Sequence, residues 1–248
     1  MRERLWEIDA LRGVAVVAMV LYHFSYDLAY FGHFDVRFFR SGIGLDMGRM
    51  IGGSFIFLAG LSLTLSYRRA AVSRAPARRP FRKYLLRGGR IFSYGMAITL
   101  LTLIFLPNEP IVFGILHLIG ASIILAYPFL NLKLPNVALG LVCIAAGLLL
   151  RGLDVETPWL VWLGTDPTFF MLDYWPILPW FGVMLLGVAV GNTLYGGRVK
   201  RTDRPSSRPP AARPLTFLGR HSLPVYLVHQ PILLAALVLL GVGDAAIF

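Results

Sequence analysis

Apolar residues in this chain run in long blocks, and polar positions gather between them. About seven blocks read as membrane spans: Ile8 to Tyr30, Gly44 to Tyr67, Ile91 to Leu106, Ile111 to Leu130, Val137 to Arg151, Ile177 to Tyr195 and Leu218 to Leu240. The third and fifth are short of the ~20 residues of a full crossing. Pro107 and Pro110 end one helix and start the next, which predicts a tight hairpin between them. The pattern predicts an all-α, polytopic membrane helix bundle, with residues 1–248 forming a single domain. No internal duplication of the kind seen in many transporters stands out.

Composition supports this picture. Of the 248 residues, 56% are hydrophobic and 15% charged, whereas a soluble domain carries about 25% charged residues. The single Cys143 lies inside an apolar run, so it reads as packing and excludes a disulfide framework. A net charge of +11 would suit nucleic acid. The basic residues, however, cluster in connections between spans, where they orient a protein in a bilayer. The bilayer is therefore the expected partner, not nucleic acid. The short N-terminal segment has no small-residue cleavage pattern, so the first span reads as a retained helix.

The charge split sets the topology. The Arg68 to Arg90 connection holds Arg68, Arg69, Arg74, Arg78, Arg79, Arg82, Lys83, Arg87 and Arg90 and no acid. The Gly196 to Pro214 connection is a basic linker rich in Pro, Ser and Arg, with Asp203 its one acid. Seven spans with the N-terminus cytoplasmic place both inside, together with Lys133. Glu109, Asp154, Glu156, Asp166 and Asp173 then fall outside. Residues Gly152 to Trp175 form an outer excursion rich in Trp, Phe and Pro. It reads equally as an interfacial aromatic cap or as a lid over a site.

Chemistry concentrates in the first span. Arg12 and His23 are eleven residues apart, roughly three helical turns, so they share one face about 16 Å apart along the axis. Asp27 follows His23 by four residues on that stripe. Ionisable groups in hydrocarbon are costly and mark function by default. A histidine beside a carboxylate, with an arginine toward the other membrane face, suggests proton chemistry linked to an anionic ligand. Further candidates reach the outer side: Asp46 with Arg49, three residues apart on one face, His117 in the fourth span, and Asp173 with Tyr174 before the sixth. Each has the alternative of a buried polar group that fixes helix packing. His229, before Pro231, reads as structural, bonding a carbonyl that the proline frees, and His33 as a solvated loop residue. Arg87-Gly-Gly-Arg90 at the start of the third span resembles a phosphate cradle of helix-terminal amides and guanidinium groups, with Arg12-Gly13 similarly placed. The alternative for these arginines is topology or anionic lipid. No metal spacing, Walker loop or Ser-His-Asp signature is present.

At these residues the chain resembles a known group. Ile8-Asp9-Ala-Leu-Arg12-Gly13 through His23 looks like the first span of transmembrane acyltransferases and matches the arginine-to-histidine spacing of acyltransferase-3 proteins. The fuller resemblance is to bacterial relatives of the heparan-α-glucosaminide N-acetyltransferase catalytic domain. It rests on Gly53-Ser-Phe-Ile-Phe-Leu-Ala-Gly60, Gly114-Ile-Leu-His117, Asp173-Tyr-Trp-Pro176-Ile-Leu-Pro179-Trp-Phe-Gly182, Leu218-Gly-Arg-His221-Ser222 and Tyr226-Leu-Val-His229-Gln-Pro231. It covers nearly the whole chain. The acyltransferase-3 pattern carries over to Arg12 and His23 only. Eukaryotic heparan enzymes place a catalytic histidine in a longer loop between the first two spans, whereas here that loop is short and holds only His33.

The resemblance implies a multi-pass acyltransferase of the bacterial inner membrane. It would move an acyl group, acetyl foremost, from cytoplasmic acyl-CoA to a sugar or envelope glycan acceptor outside, without a metal. In that reading His23 is general base, or carries the acyl group itself, and Asp27 orients it. His117 is the alternative catalytic histidine. Arg12, Arg87 and Arg90 hold donor phosphates, while Asp46, Arg49, Asp173 and Tyr174 meet the acceptor. A homodimer is left open. The competing classes are a proton-coupled transporter or permease, which uses intramembrane His and Asp as well, and a non-catalytic scaffold.

Overall fold

The computed structural model describes residues 5–73, 81–150, 160–165, 171–195 and 209–243. Among them every regular element is helical: α1 (Trp6–Tyr30), α2 (Arg37–Arg40), α3 (Gly42–Ser73), α4 (Phe81–Phe105), α5 (Ile115–Leu125), α6 (Leu134–Leu150), α7 (Ile177–Leu194), α8 (Arg213–Arg220) and α9 (Ser222–Leu239), with 3-10 turns at Tyr127–Phe129 and Pro210–Ala212. Among the described residues, five helices are long and apolar enough to cross a membrane: α1, Gly42–Ala70 of α3, α4, α7 and α9. Outward-facing Leu11 and Leu21 on α1, Ile104 on α4 and Leu148 and Leu149 on α6 are exposed. Such apolar faces suit hydrocarbon, because water penalises extended apolar patches.

The expected span boundaries change in three places. The fourth block yields only the 11-residue α5, about 16 Å long against ~30 Å of hydrocarbon, whereas the fifth, read as short, is the 17-residue α6 close to its expected bounds. Hydropathy did not see that residues 111–114 stay irregular before α5. The third block starts ten residues early, at Phe81, because Arg, Lys and Leu propagate a helix as well as the apolar run does. The last block breaks at His221 (φ −105°, ψ 20°) into α8 and α9. Pro224 has no N–H for the Arg220 carbonyl, so the helical ladder is interrupted there.

The chain divides into two units, Met1–Phe55 with Asp203–Phe248, and Ile56–Thr202. In the first, α1 packs on α8 and α9. Backbones touch at the α1–α8 crossing: a Cβ on Gly13 would strike the Leu215 carbonyl, and one on Gly219 the Asp9 carbonyl. Small residues at such a crossing let helices approach without a side chain between them. In the loop before α2, Arg37 bonds Asp35 (Nε to Oδ1 3.1 Å), and that bond holds the Asp35 carboxyl below its ordinary pKa.

In the second unit α4 pairs with α5 and α6 with α7. Gly88 and Gly120 allow the first contact, Gly140 and Gly182 the second. Helix α7 opens with extended Leu178 (φ −99°, ψ 131°) and a cis Leu178–Pro179 bond. A polar clamp closes one end of this unit. Arg68 Nε and Nη2 donate to Asn192 Oδ1 at 2.8 and 2.7 Å, and Asn192 Nδ2 donates to the Leu130 and Leu132 carbonyls at 3.0 and 2.8 Å. Buried amide and carbonyl groups are thereby satisfied where α7 meets the α5–α6 connection.

Candidate functional site in the first unit

Two polar clusters lie along α1. Near its N-terminal end Asp9, 5% exposed, accepts from Arg12 Nη1 at 3.1 Å and from Arg220 Nε at 3.2 Å. Arg12 Nη1 also lies 3.5 Å from the Gly219 carbonyl. Arg12 thus does structural work at the α1–α8 contact, and Arg220, whose side chain is 40% exposed, adds a second guanidinium beside it. Sequence reading missed Arg220, although Gly-Arg-His at the break between two helices was its signal.

Three turns further, α1 meets α9. The rings of His23 and His229 stand 4.9 Å apart, centroid to centroid, at 64°. Asp27 is 2% exposed, and its Oδ1 accepts from Gln230 Nε2 at 2.6 Å. The expected His23–Asp27 pair is therefore corrected: the α9 amide, not the imidazole, takes the carboxylate. Neither ring nitrogen of His23 is hydrogen-bonded to another described residue. His229 Nδ1 faces the Tyr226 carbonyl at 2.6 Å. The structural role expected of His229 is present but aimed differently, since Pro231 frees the Leu227 carbonyl. Three buried acceptor atoms here have no partner among the described residues: Asp27 Oδ2, His229 Nε2 and Gln230 Oε1. Buried polar atoms of this kind are rare and call for an explanation. A His-Gln pair within an apolar helix was the available signal.

Asp46 and Arg49 pair as their spacing predicts, at 3.4 Å on α3, with side chains 69% and 40% exposed. His33 is exposed in the loop, and its Nε2 bonds the Val242 carbonyl at 2.9 Å.

The second unit holds the remaining candidates. His117 is locked. Its Nδ1 accepts from the Gly114 N–H at 3.1 Å, so the neutral ring carries its proton on Nε2, 3.3 Å from Thr99 Oγ1. Thr99 Oγ1 in turn donates to the Ile111 carbonyl at 2.6 Å. Phe113 stacks on the ring (5.5 Å, 27°), and Phe92 meets it edge-on at 5.1 Å. Asp173 Oδ2 accepts from the Ile115 N–H at 3.0 Å, so His117 and Asp173 together cap the start of α5. Tyr174 Oη reaches the Val161 and Thr165 carbonyls, each at 2.7 Å, and ties the 160–165 segment down. Beside His117 lies an apolar groove of about 660 Å³, lined by Phe92, Met96, Phe113, Ile124 and Trp162 among others.

Arg87 and Arg90 are exposed on α4. Because α4 begins at Phe81, their amides lie beyond the four free N–H groups of a helix start. The expected amide cradle is thus absent, and these arginines offer side chains only. Among the described residues no group of three or more His, Cys, Asp or Glu side chains gathers in a way that would hold a metal ion. Most of the Gly152 to Trp175 excursion, the Gly196 to Pro214 linker and Arg74, Arg78 and Arg79 lie outside the described residues.

Long apolar helices, with two histidine rings and a buried carboxylate where α1 meets α9, suit a multi-pass membrane protein with a polar site between those two helices. Residues 4–231 match the heparan-alpha-glucosaminide N-acetyltransferase catalytic family, and the chain belongs to that family. No curated protein and no solved structure matches it.

Proposed function

We propose that the chain is a transmembrane acetyltransferase, taking acetyl from acetyl-CoA or a similar acyl-CoA on the cytoplasmic side. The acceptor is a sugar or envelope glycan on the outer side. The observation that carries this reading is the α1–α9 cluster, in which His23 sits beside three unpartnered acceptors in a chain of an acetyltransferase family. His23 acts as general base on the acceptor hydroxyl or amine. Asp27 acts through Gln230 and keeps the local field negative, which favours the imidazolium as it forms.

Arg12 contacts a donor phosphate while Asp9 holds it in place. Arg87 and Arg90, exposed on α4, are further donor contacts. Asp46 and Arg49 serve the acceptor. His117, Asp173 and Tyr174 are spent on capping and tying the backbone, so they are assigned to structure. The N-terminus is cytoplasmic and the membrane is the bacterial inner one, following the split of basic and acidic connections.

The test uses purified protein in liposomes, labelled acetyl-CoA and a panel of amino sugars and neutral sugars. Label transferred by wild type and lost in His23→Ala supports the proposal. Proton flux across the vesicle with no transfer to any acceptor would favour a transporter, which uses intramembrane His and Asp in the same way.

A further inference from the structure

His229 is 8% exposed, yet among the described residues only one of its ring nitrogens finds a partner. Nδ1 faces the Tyr226 carbonyl at 2.6 Å. A carbonyl only accepts, so Nδ1 carries the proton and the neutral ring keeps a bare lone pair on Nε2. The backbone of α9 thereby fixes the tautomer. The bare nitrogen belongs to a ring 4.9 Å from that of His23.

The neighbouring groups share this character. Gln230 must turn its Nε2 toward the Asp27 carboxylate, which leaves Oε1 as the outward atom, and Asp27 Oδ2 is unpartnered too. Three acceptors without a donor make a poor helix contact. They suit a ligand that brings N–H or O–H groups.

We infer that His229 is a substrate-positioning residue. Its Nε2 accepts a hydrogen bond from a second N–H or O–H of the acceptor, next to the proton that His23 removes, and so holds the reacting group against His23. The inference rests on the acyl-transfer reading above. It differs from a packing role, in which His229 matters only for its bond to Tyr226.

Two variants separate these roles because they rank in opposite order. His229→Asn keeps a donor near the position of Nδ1 and removes the Nε2 acceptor. His229→Gln supplies an acceptor oxygen near the position of Nε2 and gives up the Nδ1 donor. The full chain in liposomes is assayed for acetyl transfer, with KM measured separately for acetyl-CoA and for the sugar acceptor, and thermal unfolding followed in parallel.

The expected result is a His229→Asn protein that melts like wild type. Its kcat/KM for the acceptor falls at least tenfold, its KM for acetyl-CoA stays unchanged, and His229→Gln recovers part of the loss. His229→Asn transferring like wild type overturns the inference, as does a loss that moves the acetyl-CoA KM instead. If His229→Asn does not fold, His229→Gln decides: transfer retained supports the role, and folded protein without transfer overturns it. Wild type that acetylates no acceptor overturns the acyltransferase reading, and this assignment with it.

Discussion

Gln230 on α9 donates its side-chain amide to Oδ1 of Asp27 on α1 at 2.6 Å, with the carboxylate 2% exposed. A hydrogen bond to a charged group contributes about 1.5–3 kcal/mol, and a buried carboxylate left short of one loses more than a neutral group would. Gln230→Leu is expected to lower the unfolding temperature in detergent markedly. Asp27→Asn is expected to lower it less, since an amide–amide bond survives. Equal melting of wild type and Gln230→Leu would mean that the bond contributes nothing.

His117 is predicted to matter for folding, not for catalysis. Both its nitrogens are engaged, at the α5 start and on Thr99. His117→Ala strands the Gly114 N–H and opens a gap between Phe113 and Phe92, costing about 1–3 kcal/mol for the unsatisfied donor alone. Thr99→Val should show a smaller loss in the same direction. Transfer per folded molecule should stay close to wild type in both. Folded His117→Ala without transfer would move the catalytic role to this histidine.

The donor prediction concerns arginine side chains alone. Arg12→Ala is expected to weaken acetyl-CoA binding by about 1.5–3 kcal/mol, the worth of a charge-assisted contact. Folding should suffer less, because Arg220 still holds Asp9. Arg87→Ala and Arg90→Ala, made separately, should each weaken binding in the same way. Calorimetry in detergent checks all three. Unchanged affinity in every one would leave these arginines as orientation signals.

Topology is tested by reporters at Arg78, Arg204 and Glu156, all outside the described residues. The first two should report the cytoplasm and the third the opposite side. Arg78 and Glu156 on the same side would break the seven-span topology.

The fold class was legible because hydrocarbon demands long apolar runs, and α1, α3, α7 and α9 follow theirs to within a few residues at most ends. The start of α4 and the break at His221 were not legible from hydropathy. They depend on helix-forming charged residues and on one missing proline N–H. The site was half legible. An eleven-residue spacing puts Arg12 and His23 on one face of one helix, which periodicity captures. That Gln230 would take Asp27 and His229 would meet His23 depends on how α9 packs against α1, and no local pattern encodes it. The backbone contacts of Asp173, Tyr174 and His117 were hidden for a related reason: the groups they satisfy lie in or beside irregular segments that the sequence does not reveal.

The central claim is that the α1–α9 cluster is where acyl transfer occurs, with His23 as base. Its most direct test is the rate of acetyl transfer by His23→Ala in liposomes, measured beside acetyl-CoA binding to the same preparation. The predicted result is a fall of about 10²–10⁴-fold in transfer, the usual loss of general base catalysis, with donor binding intact. Transfer at the wild-type rate by folded His23→Ala would contradict it.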